Sequence, residues 1–202
     1  MRSFKIFNDP VHGFVEVPRG LMLALIDHPI VQRLRRIKQM GLSSLVYPGA
    51  VHTRFNHALG AMHLMQLALR ALAEKGVAIT EKEAEAARIA ILLHDIGHGP
   101  FSHALEGVLV PGLHHEQMTL MLMERLNREF DGALDLAIKI FLGQHEKPFL
   151  HQLVSSQLDM DRMDYLQRDS FFSGVQEGVI GVDRIIKTLT VVDNKLVVEE
   201  KG

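Results

Sequence analysis

The chain has 202 residues, of which 47% are hydrophobic, with a formal net charge of -2 and no cysteine. That length and apolar share suffice for one sizeable core in a single domain over residues 1–202, the missing thiols exclude disulfides and thiolate metal sites, and the weak charge makes nucleic acid an unexpected partner. No basic-then-apolar start pattern occurs and no apolar run reaches the roughly 20 residues that span a bilayer, so the expectation is a soluble, cytoplasmic protein with no membrane partner.

In chain order, residues 3–7 and 14–17 flank the turn-forming Asn8-Asp9-Pro10-Val11-His12-Gly13 and read as a short hairpin. Residues 21–27 and 30–40 read as two helices separated at Pro29, the second stopped by Gly41. This second segment carries a local basic cluster, Arg33, Arg35, Arg36 and Lys38. From Arg54 to Lys75 apolar residues recur at helical spacing, and Gly76 closes the segment. Thr80-Glu81-Lys82-Glu83 is a capping-box signature that starts a helix running to His94. Further helices are expected over 102–110, 115–130, 132–143, 149–156, 156–168 and 182–189. A second hairpin, 189–192 with 195–199, flanks Asp193-Asn194. The fold class is therefore mainly α, a helical bundle with short β-hairpins near the N- and C-termini.

The chemistry concentrates where the apolar helix ends at His94 and Asp95, just before the break Gly97-His98-Gly99-Pro100. A metal can reach both side chains from that open end. His57 lies earlier and Asp161 later, and two imidazoles with two carboxylates suit a first-row divalent ion that keeps water at its remaining positions. This points to metal-assisted hydrolysis with one divalent ion, which the residue types leave open among Mg, Mn, Fe, Ni and Zn. Arg54 lies three residues before His57 on the same helix face, where a cation suits phosphate.

Five of the 12 histidines, His94, His98, His103, His114 and His115, fall within 22 residues. Not all of them can be buried and charged, so a catalytic cleft is expected. His103 and Glu106, three apart on a predicted helix, make a pair in which the carboxylate orients an acid–base imidazole. Asp161, Asp164 and Tyr165 share one face with Arg162 beside it. Asp164 reads as a structural salt-bridge partner, and Asp159 as support for the metal or for a phosphate-binding arginine. No Walker-type glycine loop occurs, and Gly97 and Gly99 are expected to let the backbone turn sharply.

The order His57, His94-Asp95, Asp161 resembles that of the HD phosphohydrolase superfamily. Asn8 to Gly13, Gln32 to Gln39, Pro48-Gly49-Ala50, His94 to His103 and Met160 to Tyr165 are similar to one branch in particular, over nearly the whole chain. That branch is the deoxynucleoside triphosphate triphosphohydrolases, the human sterile-alpha-motif and HD enzyme and bacterial relatives among them. The resemblance implies an HD-domain helical fold, a metal on His57, His94, Asp95 and Asp161, and a chemical step using His103 and Glu106. It implies that His98 and His115 contact the reacting phosphate and that Arg162 and Tyr165 serve the triphosphate and sugar, Arg162 replacing the lysine of the human relative. Gln39 and Asp169 would read the sugar hydroxyl.

The implied reaction releases deoxynucleoside and tripolyphosphate from a dNTP. Lys5, Asn8, Asp27 and Arg35 match an effector-nucleotide site at subunit contacts, which implies a homo-oligomer. Two alternatives remain: an HD phosphohydrolase acting on nucleoside monophosphates or pyrophosphate linkages, against which Gln39 and residues 160–169 argue, and a non-catalytic nucleotide sensor. Members of this branch continue past the position matching Glu200 with further helices. A folded metal-binding core with weak or absent hydrolysis and exposed apolar surface is therefore the expectation for this chain.

Overall fold

The computed structural model describes residues 3–105, 112, 114–178 and 180–200. Strands β1 (Phe4–Asp9) and β2 (Gly13–Pro18) pair antiparallel with Asp9 opposite Gly13. Strand alternation sends Val15 and Val17 into the core. Inside the turn, the Asp9 carboxylate accepts the backbone N–H groups of Val11 and His12 at 2.9 and 3.0 Å, which fixes the direction of His12. Helices α1 (Leu21–Asp27) and α2 (Pro29–Gln32) meet at His28, whose ring accepts from the Ile30 N–H while Pro29 fills the first helical turn.

Helix α3 (Arg54–Glu74) is the axis of the molecule. Thr53 and Asn56 cap it reciprocally, each side chain accepting the other's backbone N–H at the end that carries Arg54 and His57. Its buried residues, from Phe55 through Met62 and Met65 to Leu72, run round most of its circumference, as a helix covered on several sides requires. Helix α4 (Glu81–Leu93) starts at the expected Thr80/Glu83 box. Glu83 also binds Lys147 Nζ at 2.8 Å, tying that start to the loop before α8. After α5 (Ser102–Leu105) come α6 (His115–Glu129), α7 (Asp135–Phe141), α8 (Pro148–Val154), α9 (Met160–Ser173) and α10 (Val182–Thr188). Strands β3 (Leu189–Val192) and β4 (Lys195–Val198) form the second hairpin, and Asp193 and Asn194 adopt φ of 49° and 61°, the paired positive values of a two-residue type I′ turn.

Helix α3 packs most extensively against α4 and α9, and α7 covers the far side of α4. The two helices that carry His94 and Asp161 thus both lie directly against α3, which carries His57. Gly60 makes the α3–α9 approach possible, because a Cβ at that position would collide with the side chains of Asp164 and Arg168. Among the described residues, no helix is long and apolar enough to cross a membrane.

Several expected boundaries are corrected. The helix expected over 30–40 ends at Gln32 and gives way to a 3-10 turn, Arg33–Arg36. Ile37 is extended, its carbonyl accepts the Arg54 N–H, and the Gln39 N–H donates to the His52 carbonyl. These bonds to the segment entering α3 replace the helical ones, so tertiary pairing overrides local propensity. The helix expected over 132–143 starts at Asp135, because Asp131 and Gly132 take φ of 51° and 82°. Likewise the helix expected from 156 starts at Met160, where Asp159 caps it, and continues to Ser173 before Gly174 turns left-handed. Of the helix expected over 102–110, residues 106–110 lie outside the described residues. Neither Gly97 nor Gly99 has a positive φ; Gly97 is needed for space, since a Cβ there would meet the His115 carbonyl and Thr119.

The α3–α9 crossing yields a stability test. Gly60→Ala should cost about 3 kcal/mol through overpacking and displacement of a buried ion pair, read as the drop in unfolding free energy on urea titration. A loss below about 0.5 kcal/mol would contradict this close approach.

Candidate metal centre and its cleft

Three helix ends converge. His57 stands in the first turn of α3, His94 caps the C-terminus of α4 with Asp95 next to it, and Asp161 stands in the first turn of α9. The Nε2 atoms of His57 and His94 are 3.3 Å apart, and Asp161 Oδ1 lies 3.0 and 3.4 Å from them. These three side chains could hold one metal ion. Asp95 sits at the edge of the set: Oδ1 is 3.4 Å from His94 Nε2 and 3.3 Å from His98 Nε2, while Oδ2 is 3.8 Å from His57 Nε2 and accepts Arg54 Nη1 at 2.5 Å.

The donor set fits a divalent ion. His57 Nδ1 faces Asp164 Oδ2 at 2.7 Å and His94 Nδ1 faces the Ile91 carbonyl at 2.5 Å. Each acceptor holds the Nδ1 proton, so each ring, once its Nε2 proton is displaced, would turn an Nε2 lone pair toward the same point. Burial opposes charge on His57, but Asp161 and Asp164 outweigh it and pull its pKa up to about 10. His94 is raised in the same way, against burial, by Asp95 and Asp161. The carboxyls move oppositely: burial would raise Asp95 and Asp161, yet the neighbouring imidazoles hold both below the usual range. Burial lowers the pKa of His98 despite Asp95, so its ring is neutral near pH 7.

The centre opens into a cleft of about 580 Å³ whose walls include Gln39, Arg54, His94, Asp95, His98, His115 and Asp161. His98 and His115 stack with ring centroids 4.0 Å apart. A neighbouring cavity of about 320 Å³ shares Gln39 and Arg54, and the buried Gln39 Oε1 has no hydrogen-bond partner among the described residues. Arg162, Tyr165 and Asp169 follow Asp161 along α9 but do not line this cleft. Asp169 instead faces His52 Nε2 at 2.7 Å, and His52 stacks on Phe172. Asp159 is the α9 cap, with its two oxygens accepting the backbone N–H groups of Arg162 and Ser156.

The His103 side chain and Glu106 lie outside the described residues. In the expected effector set, Lys5 and Asp27 approach to 3.9 Å, whereas Arg35 lies over the Phe55 ring and donates to Gln32. Asn8 is an exposed β1 residue opposite Phe14.

Residue reading missed the supports beneath the ligands. Asp164, read as a salt-bridge partner, binds Arg168 and also orients His57. Arg33 donates to the carbonyls of Ile96 and His98, and Thr119 Oγ1 bridges the His94 carbonyl and the Gly97 N–H, so α6 and the segment after α2 both fix the turn after Asp95. The i,i+4 spacing of Asp164 and Arg168 was a visible signal. No sequence spacing links Arg33 to the turn.

Comparison with known proteins follows the same outline. A family model described as HD domain matches residues 54–169. The Bacillus subtilis protein YwfO is 36% identical over 98% of this chain and 47% of its own length. The human deoxynucleoside triphosphate triphosphohydrolase SAMHD1 is 34% identical over 96% of this chain and 37% of its own. Among solved structures, a phosphohydrolase from Bacteroides thetaiotaomicron superposes with a TM-score of 0.96 at 61% identity, covering 98% of this chain and 49% of that one. The chain thus spans half or less of the length of each of these proteins.

The raised His57 pKa gives a pH prediction. At pH 7.5 the metal-free ring carries a proton that a metal on Nε2 must displace, so binding should release about one proton or more, and affinity should rise with pH toward about 10. Titration calorimetry in two buffers of different ionisation enthalpy measures this directly. Binding without proton release would contradict the assignment of His57 Nε2 as a ligand.

Proposed function

Because the chain belongs to the HD-domain family, its match to that family's model running from residue 54 to 169, we propose that it is a metal-dependent phosphohydrolase that cleaves deoxynucleoside triphosphates to deoxynucleoside and tripolyphosphate. The observation that carries the reading is the convergence of His57 Nε2, His94 Nε2 and Asp161 Oδ1 beside a cleft of about 580 Å³ whose walls include His94, Asp95, Asp161 and Arg54. Asp95 completes the proposed set at its rim. A divalent ion held there would supply Lewis-acid polarisation of a phosphoryl oxygen and a more acidic water.

The remaining work falls to the chain's own side chains. Arg54, anchored on Asp95, presents a fixed cation to phosphate oxygens, and a guanidinium that is already oriented gives up little freedom on binding. His98, stacked on His115 with its Nε2 3.3 Å from Asp95 Oδ1, is assigned together with His115 to the reacting phosphate. Water oxygen bonds to the α-phosphorus as the bond from that phosphorus to O5′ breaks. The leaving O5′ takes up the proton, and His103 with Glu106 is the acid–base pair proposed to manage that transfer. Arg162 and Tyr165 are assigned to the triphosphate and sugar, Gln39 and Asp169 to the sugar hydroxyl, and Asp159 to holding the first turn of α9. The same proposal includes a cytoplasmic homo-oligomer with an effector nucleotide at Lys5, Asn8, Asp27 and Arg35.

The test is incubation with each deoxynucleoside triphosphate and one divalent metal at a time, followed by product identification by mass. Deoxynucleoside plus tripolyphosphate is expected, and Asp161→Ala should lose both stoichiometric metal and turnover. His103→Ala should keep its metal and lose about 10² to 10⁴ in rate. Monophosphate plus pyrophosphate as products would contradict the proposed reaction.

A further inference from the structure

The turn Asn8 to Gly13 contributes no residue to the cleft walls, yet one of its side chains reaches the carboxylate behind the metal centre. Asp164 is fully buried and receives four contacts. Oδ2 faces His57 Nδ1 at 2.7 Å and Arg168 Nε at 2.9 Å, while Oδ1 faces His12 Nε2 at 2.6 Å and Arg168 Nη2 at 2.9 Å. Arg168 is itself held by Asp9, at 2.8 Å from Nη1 and 3.2 Å from Nη2. Asp9 also accepts the backbone N–H of His12. The contacts therefore close a ring from Asp9 through Arg168 and Asp164 to His12 and back along the turn.

We propose that His12 is a positioning residue for the metal centre: by donating to Asp164 Oδ1 from the hairpin turn, it fixes the carboxylate plane that orients His57. This rests on the reading of His57, His94 and Asp161 as a metal site. A carboxylate bonded on one oxygen only can rotate about its Cβ–Cγ bond. With His12 and Arg168 on Oδ1 and His57 and Arg168 on Oδ2, rotation breaks several charge-assisted bonds at once. The His57 ring then inherits both its tautomer and its tilt from a turn some 45 residues earlier in the chain. Outer partners of this kind typically change metal affinity by about 10- to 100-fold when removed. The N-terminal hairpin thereby becomes part of the centre's binding affinity without touching the ion.

Mn²⁺ binding to the full 202-residue chain, followed by calorimetry at fixed pH alongside thermal melting, tests the proposal. His12→Leu keeps bulk but removes the donor, and should weaken Mn²⁺ binding about tenfold or more; His12→Gln keeps an N–H donor at similar reach and should stay within about threefold of the parent. A purely structural His12 would make affinity follow melting temperature, with the better apolar filler, Leu, no worse than Gln. If His12→Leu does not fold, His12→Asn replaces it, since its shorter amide falls short of Asp164 and should bind as weakly. Parent-like affinity in the Leu or Asn variant, or affinity in the Gln variant as low as theirs, would overturn the positioning role and leave the metal site standing. Failure of the parent chain itself to bind Mn²⁺ would overturn both.

Discussion

A carboxylate with no exposed surface, Asp164, sets the terms for the rest of this molecule. Removing such a charge from water costs several kcal/mol unless its oxygens are fully bonded, and breaking one partner of a buried pair costs about 3–5 kcal/mol. Here the compensating donors come from three parts of the chain: His12 in the first turn, His57 on α3 and Arg168 one helical turn along α9. Folding must assemble all three to bury Asp164. The same assembly leaves His57 with its Nε2 directed at His94 and Asp161, so the interaction that closes the core also forms the centre.

The neighbouring contacts extend this logic outward. Gly60 has no side chain, which is what allows the Asp164–Arg168 pair to lie against α3. At the end of α4, Thr119 satisfies the His94 carbonyl that the helix terminus leaves unbonded and Arg33 satisfies the Ile96 and His98 carbonyls of the turn that follows, so His94 and Asp95 are presented on a braced turn rather than a fraying end. Arg54 then occupies Asp95 from the cleft side. Cations and anions alternate from Asp9 through Arg168 and Asp164 to the ligand histidines and on to Asp161 and Asp95, and this alternation explains why the imidazole pKa values rise while Asp161 and Asp95 fall.

What was legible in the sequence was local. The capping box at Thr80, the helical period from Arg54 and the Asp193-Asn194 turn each depend on residues within a few positions, and each is where it was expected. The candidate ligands were legible as residue types in order, and the fold brings His57, His94 and Asp161 into one cluster with Asp95 at its edge. Partner choice across long separations was not legible. The segment after Gln32 has helical residues but bonds to the approach to α3, Asp169 turns to His52, and His12 reaches across 152 positions to Asp164. Nothing in local propensity distinguishes these pairings from their competitors.

The central claim is that one divalent ion sits between His57 Nε2, His94 Nε2 and Asp161, with Asp95 at the rim. Anomalous diffraction from crystals grown with Mn²⁺, collected above and below the metal edge, tests it most directly. The account predicts one strong peak about 2 Å from both Nε2 atoms and from an Asp161 oxygen, with His57 Nδ1 still on Asp164. A peak elsewhere, or well-ordered His57 and His94 rings with no metal between them at saturating Mn²⁺, would contradict it.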